Sequence, residues 1–395
     1  MRAHAPALAL LAAACCGRAA SPPPPIGPAA PAPDAAAIAQ LLLSPAGACG
    51  VFADGAARCW GEWGGDLIRV AAPATGLADV AELRAGHDVL ADPQRFFDHL
   101  CARDTHGAVR CWGNDRQGQL GAPAVRLDDG SMTPERVDGL ADAQQLALGE
   151  RHACARTGAG EVWCWGQNHY GQAGAGSGTE LVRRATRVAG VDGALEVIAT
   201  HESTCARTAR AVLCWGQNQN GQADPDDPAT VVRWTPGEVA AGQGAVELAA
   251  GDGAVCARDA AGGVRCWGFV RDLLGEAFAA RAEGPVADLP PATAIAVGDS
   301  HACAVVEGGA VWCWGQDALG QLGDGVRRGG WSAPAVVRLP AEAERIVAAG
   351  DDTCARLVDR RWICWGANLH GQLAAHGSPL APTVLDLGAV DLAAQ

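Results

Sequence analysis

The side chains here able to do covalent or metal chemistry are mainly sixteen cysteines, ten histidines and one tyrosine. Fourteen of the cysteines form seven spaced pairs: Cys49/Cys59, Cys101/Cys111, Cys154/Cys164, Cys205/Cys214, Cys256/Cys266, Cys303/Cys313 and Cys354/Cys364. Six pairs enclose nine residues, the fourth encloses eight, and every second cysteine opens a Cys-Trp-Gly triplet. Thiols so arranged could bind metal, do redox chemistry or form disulfides. No Cys-x-x-Cys occurs and nine-residue spacing lacks the short ligand knuckle of zinc sites, so no metal is expected. An even set behind an export leader reads instead as a disulfide framework.

The remaining candidates are weaker. His99, His152 and His301 each stand two residues before a first cysteine, and hydrogen bonding within each blade is expected of them. The run Asp224-Pro225-Asp226-Asp227-Pro228 has too few oxygens for a calcium cage and reads as a solvated turn. Asp54-Gly55 loosely resembles a sialidase Asp-box. Tyr170, the sole candidate for such an enzyme's nucleophile, lies in the variable part of a loop. Neither Gly-x-Ser-x-Gly nor His-Glu-x-x-His nor a phosphate-binding loop occurs. Neither catalytic residues nor a cofactor are expected.

The cysteines must be positioned by hairpins. Apolar or β-favouring residues flank each pair and Gly-containing or polar residues lie between, as from Cys154 through Gly158-Ala159-Gly160 to Cys164, which opposes the cysteines across a ladder. The fourth pair loses its residue in the turn, near Thr208 to Arg210. Each bridge closes about eleven residues and stabilises by roughly 2–3 kcal/mol in the chain-entropy model. One unit reads as four short strands, at Gln145–Leu148, His152–Arg156, Glu161–Trp165 and Ala185–Val188. A Trp-Gly-x4-Gly-Gln loop joins the third to the fourth in five units, ending at Gly118-Gln119, Gly171-Gln172, Gly221-Gln222, Gly320-Gln321 and Gly371-Gln372. Seven such units at a period near fifty specify an all-β, seven-bladed propeller of four-stranded antiparallel blades, with the triplet tryptophans between blades.

These residues resemble the regulator of chromosome condensation repeat family. Its apolar strand, Gly-x-x-His and Gly-Gln-Leu-Gly-like loop are matched by Ala296-Val297-Gly298-Asp299-Ser300-His301 and by Gly320-Gln321-Leu322-Gly323. The resemblance runs from about Ala37 to the C-terminus, with degenerate units at Trp60 to Gly65 and Trp267 to Glu276. Cysteine-stapled versions are similar to secreted bacterial proteins of this class, some labelled as BNR-repeat proteins. The family implies nucleotide exchange on GTPases, chromatin binding or, in a bacterial branch, β-lactamase inhibition. An exported protein would not meet a small GTPase.

Export is expected from residues 1–16: Arg2, an apolar run from Ala7 to Ala14 too short to span a bilayer, then cysteine. Leu11-Ala12-Ala13-Ala14-Cys15 resembles a lipobox, with Ala12 departing from the usual Leu, so acylation at Cys15 and simple secretion both stand. Residues 17–36 form a Pro/Ala-rich tether and 37–395 the propeller. A formal charge of -14 with no basic stretch argues against nucleic acid. A monomer is expected, meeting a membrane only through the anchor, at the periplasm, outer membrane or cell surface.

Strand parity places first-to-second and third-to-fourth connections on one face, and all the long insertions are of these kinds. Phe96, Phe97, Trp234, Arg327, Arg328 and Trp331 lie in them, types enriched at interfaces. The expectation is binding of a protein or surface glycan through that face. The alternative is a secreted hydrolase or lyase whose site occupies the same face.

Overall fold

The computed structural model describes residues 38–45, 47–63, 66–73, 76–87, 98–122, 130–227, 229–269, 271–274, 282–374 and 380–385. The leader, Cys15, the Pro/Ala-rich tether, Phe96 and Phe97 lie outside these.

Seven four-stranded antiparallel sheets follow one another along the chain. Their inner strands are Ile38–Leu43, Val80–His87, Ala143–Leu148, Ala194–Ala199, Ala245–Ala250, Ala292–Val297 and Ala343–Ala349. Each inner strand contacts the next and the last contacts the first, so the sheets are blades of a closed propeller. In blade 3 the strands are Ala143–Leu148, His152–Thr157, Val162–Gln167 and Leu181–Arg187. The outer one starts four residues before the expected Ala185, because the ladder resumes beyond a bulge at Gly166. Gly166 has φ 100°, and a Cβ there would lie 2.5 Å from the Arg151 carbonyl oxygen, which explains the glycine after tryptophan.

The cysteines are bridged as seven local pairs across the central hairpins: Cys49–Cys59, Cys101–Cys111, Cys154–Cys164, Cys205–Cys214, Cys256–Cys266, Cys303–Cys313 and Cys354–Cys364. Their Cα separations of 4.0–4.1 Å suit non-hydrogen-bonded cross-strand positions. The first cysteine of each pair stands on the second strand of its blade and the other on the third, directly opposite in the ladder. Blade 4 keeps the Cys205–Cys214 register although it is one residue short. Its turn absorbs the loss: Thr208 N–H donates to Ala211 O at 2.9 Å, and the Thr208 hydroxyl accepts from Arg210 and Ala211 N–H.

Blade-to-blade packing follows one rule. Trp60, Trp165, Trp215, Trp267, Trp314 and Trp365 are buried in the seams. Five of their indoles donate to the main-chain oxygen of a Gly-Gln glutamine one blade back: Trp165 to Gln119 (2.8 Å), Trp215 to Gln172 (3.0 Å), Trp267 to Gln222 (3.2 Å), Trp365 to Gln321 (2.9 Å) and Trp60 to Gln372 (2.9 Å). The last joins blade 1 to blade 7. Blade 5 has no Gly-Gln loop, and the buried Trp314 N–H is left unpartnered among the described residues. There a short helix, Arg271–Leu274, packs Leu273 and Leu274 near Trp314.

A second belt joins the inner strands. Gln40 exchanges hydrogen bonds with Leu83, and Gln145 does so with Val197. Carboxylates at the same repeat position accept the next blade's N–H: Glu82 from Leu146, Glu196 from Leu248 and Glu247 from Ile295. Arg103, Arg207 and Arg258, from the recurrent Cys-Ala-Arg, pair with those carboxylates at 3.3, 2.9 and 2.7 Å. The buried Glu82 and the half-buried Glu196 and Glu247 are tolerable here because each is both paired and hydrogen-bonded.

Candidate functional site

The long-loop face is built in rings around the channel. Innermost are the turns between first and second strands, zipped together by their backbones: Glu150 N–H to His201 O (2.9 Å), His201 N–H to Asp252 O (3.0 Å) and Asp299 N–H to Gly350 O (2.9 Å). They carry Glu150, Glu202, Asp252, Asp299 and Asp351, so this mouth is acidic, with Arg151 and His201 set among the carboxylates. His201 Nδ1 lies 2.6 Å from Asp252 Oδ1. Burial lowers the His201 imidazole, but the Asp252 hydrogen bond and the charges of Asp252, Asp299 and Glu150 outweigh it and raise its pKa. Burial raises Glu202, tempered by Arg151 and His201. Among the described residues no group of three or more His, Cys, Asp or Glu side chains is placed to hold a metal ion.

The bridged cysteines take no part in this face. Cys111, Cys164, Cys214, Cys266, Cys313 and Cys364 are buried in their third strands, and Cys59 is partly buried, packed against the cluster of Leu83, Leu100 and Trp112. Their first-strand-side partners Cys49, Cys101, Cys154, Cys205, Cys256, Cys303 and Cys354 are buried as well. All fourteen are therefore structural positions inside the blades, with their sulfurs spent on one another and unable to serve as nucleophiles or metal ligands.

The next ring is the Trp-Gly-x4-Gly-Gln loops, and it is structural. A side-chain oxygen two residues after glycine accepts the N–H five residues on, as Asn168 does from Ala173 (3.0 Å) and Asn218 from Ala223 (3.1 Å). The glutamine amides fold back likewise, Gln172 to Gln167 Oε1 and Gln222 to Gln217 Oε1. In the acidic run, Asp224 pairs with Arg233 at 3.1 Å and Asp227 accepts from Ala229 and Thr230 N–H, as a capped turn does.

Two of the histidines correct an expectation. His152 and His301 bond across seams, to Thr204 (2.9 Å) and Thr353 (2.7 Å) one blade on, instead of within their blades. The Thr204 hydroxyl donates to Gln172 O, which leaves His152 Nε2 as donor to Thr204. Both imidazoles are fully buried, desolvation holds each pKa down at about 3, and both are neutral at physiological pH. Gly149 precedes His152 because a Cβ there would collide with the imidazole Cε1. In blade 7 Asp352 takes the histidine position. Burial pushes its carboxyl up to about 7, against the opposing hydrogen bonds from Asn368 N–H and Gln372.

The named interface residues divide. Trp331 is 39% exposed, its N–H tied to Leu273 O at 3.0 Å, which anchors the ring to the short helix of blade 5. Arg327 is exposed beside it, whereas Arg328 is committed to Asp317 (3.1 Å) and Asp324. Trp234 is half-buried two blades away and lies over Gly171 of blade 3, covering a seam. The structure therefore brings Arg327, Arg328 and Trp331 together on blade 6 and leaves Trp234 apart.

Phe269 (36% exposed), Val231, Val326 and Leu369 (66%) add exposed apolar groups to the same face. Sequence reasoning passed over Phe269, although it sits directly after Trp267-Gly268, where Gln167 and Gln217 stand in blades 3 and 4. That departure was the available signal.

A family model described as Regulator of chromosome condensation (RCC1) repeat matches residues 143–172 and 292–321. These stretches lie in blades 3 and 6, the two with cross-seam histidines. Over 95 residues the chain is 34% identical to guanine nucleotide exchange factor SRM1 of Saccharomyces cerevisiae, covering 23% of this chain and 20% of that protein. Over 84 residues it is 30% identical to the ultraviolet-B receptor UVR8 of Arabidopsis thaliana, covering 21% and 18%. The chain thus spans about a fifth of these relatives. Among solved structures, human WBSCR16 superposes with a TM-score of 0.69 at 17% identity, covering 81% of this chain and 85% of that one. Prp20p of Saccharomyces cerevisiae gives 0.63 at 18% identity, covering 79% and 80%; its structure was reported with binding to Gsp1p and histones. These likenesses show the propeller fold, and the relatives named are eukaryotic.

Proposed function

We propose that this chain is an exported bacterial propeller, tethered through a lipid on Cys15, that binds another protein through its long-loop face. The observation that carries the binding reading is that Phe269 and Trp331, the two exposed large aromatic rings among the described residues, both stand on that face, beside an acidic channel mouth. Protein is favoured over glycan because Prp20p, on the same fold, binds proteins. Nucleotide exchange is not carried over, since an exported chain meets no small GTPase. The leader's shape and the Pro/Ala tether support export.

Capture from the host envelope with Phe269→Ala/Trp331→Ala tests the face. Removing two exposed aromatic anchors should weaken capture by about 1–3 kcal/mol, with the melting temperature lowered only slightly. Changes at the opposite-face turn Asp104 to Gly107 should leave capture intact. The face is wrongly named if the turn changes abolish capture and the aromatic changes do nothing. Labelled palmitate should mark wild type and not Cys15→Ser; an unlabelled, freely soluble wild type in a lipoprotein-competent host would leave plain secretion.

A further inference from the structure

At one position of the inner strands the repeat assigns a fixed task. Gln40, Glu82, Gln145, Glu196 and Glu247 each hydrogen-bond the backbone of the following blade. Blade 6 has Ala294 there, and blade 7 has Arg345, exposed and without a hydrogen-bond or ion-pair partner among the described residues. Two positions further along, where the other blades carry Leu42, Ala147, Ile198, Ala249, Ala296 and Val347, blade 2 has Arg84. Arg84 is partly engaged, with Glu82 at 3.2 Å and Leu146 O at 3.4 Å, and its side chain is 40% exposed.

Both departures open onto one cavity. It has a volume of about 700 Å³ and lies at the hairpin-turn end of the channel, across blades 7, 1 and 2. Leu41, Arg84 and Val347 line it and also the channel proper, a further 330 Å³ or so, so the two spaces adjoin. The side chains that line the channel are mostly alkyl, set among exposed polar groups that make up rather more than half of its surface. Its polar members beside Arg84 are Gln145 and Glu196, and both are held in the inter-blade belt. Asp54 and Asp79 stand in the turns at the outer rim, and Asp54 accepts the Ala56 N–H of its own turn.

We infer that this cavity binds a small organic oxyanion with an apolar body, its charged group at Arg345, with Arg84 on the same cavity wall, and its alkyl part against the alkyl side chains of the channel. A guanidinium with no internal partner gains by meeting an oxyanion, and concave sites of this size commonly hold small ligands. The rim carboxylates keep the anionic group at the inner edge and disfavour a second negative charge on the outer end.

Octanoate is a suitable probe, with octanol and octylammonium as its neutral and cationic counterparts, each titrated into the full-length oxidised protein by calorimetry. Octanoate should bind saturably at one site, and Arg345→Gln, an exposed change that leaves the fold alone, should weaken it about tenfold or more. Arg84→Gln should act in the same direction, with circular dichroism confirming an intact fold. Octanol should bind more weakly and octylammonium not at all. Absence of saturable octanoate binding, equal binding of octylammonium, or indifference to Arg345→Gln would each overturn the assignment.

Discussion

Reduced with excess dithiothreitol at neutral pH, the protein is expected to lose its propeller fold altogether. Each bridge closes a local loop of about eleven residues, for which the chain-entropy account gives roughly 2–3 kcal/mol. Seven together, about 14–21 kcal/mol if they add, match or exceed the 5–15 kcal/mol or so by which a domain is usually stable. The sulfur pairs also sit beside the seams, as Cys154 and Cys164 do in the cluster holding Val188, Val197 and Trp215, and Cys256 and Cys266 in the one holding Trp314. Opening such a pair would put two thiols where one bond fitted. Circular dichroism and thermal melts of oxidised and reduced protein decide the matter. A reduced form melting within a few degrees of the oxidised one would show that the blades stand without their staples.

Hairpins and blades were readable because their information is local. Cysteine spacing, the Cys-Trp-Gly triplet and the fifty-residue period specify elements whose partners lie about ten residues apart, and the fourth pair's shortened turn could be placed without any structure. Seam chemistry was not readable, because its partners lie about fifty residues apart and one member is usually backbone. Trp215 shows this: its burial follows from the triplet, but its hydrogen bond goes to the main-chain oxygen of Gln172, which no residue type announces. His152 was assigned to its own blade for the same reason, when its acceptor is Thr204. Among the candidate interface residues, length variation singled out the long loops, yet could not separate Trp331, tied to the short helix of blade 5, from Trp234, folded over Gly171. Arg345 escaped notice because its meaning lies in what the other blades do at that position.

The ring closes between blades 7 and 1 by packing: among the described residues each blade is built from four consecutive strands, with no strand exchanged. Three repeat positions depart together at this seam. Trp362 stands where blades 2 to 6 have valine and blade 1 has Ala57; it is 1% exposed, and its N–H donates to Ile38 O at 3.2 Å. Ile38, fully buried, replaces the valine or alanine that opens the other inner strands. Gly50 replaces the alanine that follows the first cysteine elsewhere, and a Cβ on it would lie 3.2 Å from Ile38 Cδ1 and Cγ1. Bulk added at Ile38 and Trp362 is thus matched by bulk removed at Gly50. Trp362→Val, which restores the repeat residue, should leave a cavity and an unpaired Ile38 carbonyl, costing about 2–4 kcal/mol. The loss should be local before it is global. Amide exchange should quicken first in Ile38–Leu43 and Trp362–Gly366, while blades 3 and 4, joined by the His152–Thr204 bond and the Gln172 oxygen, stay protected. Uniform quickening around the ring would mean that this seam opens no more readily than the others. Unchanged exchange and melting would mean that the tryptophan only fills space that valine and a water fill as well.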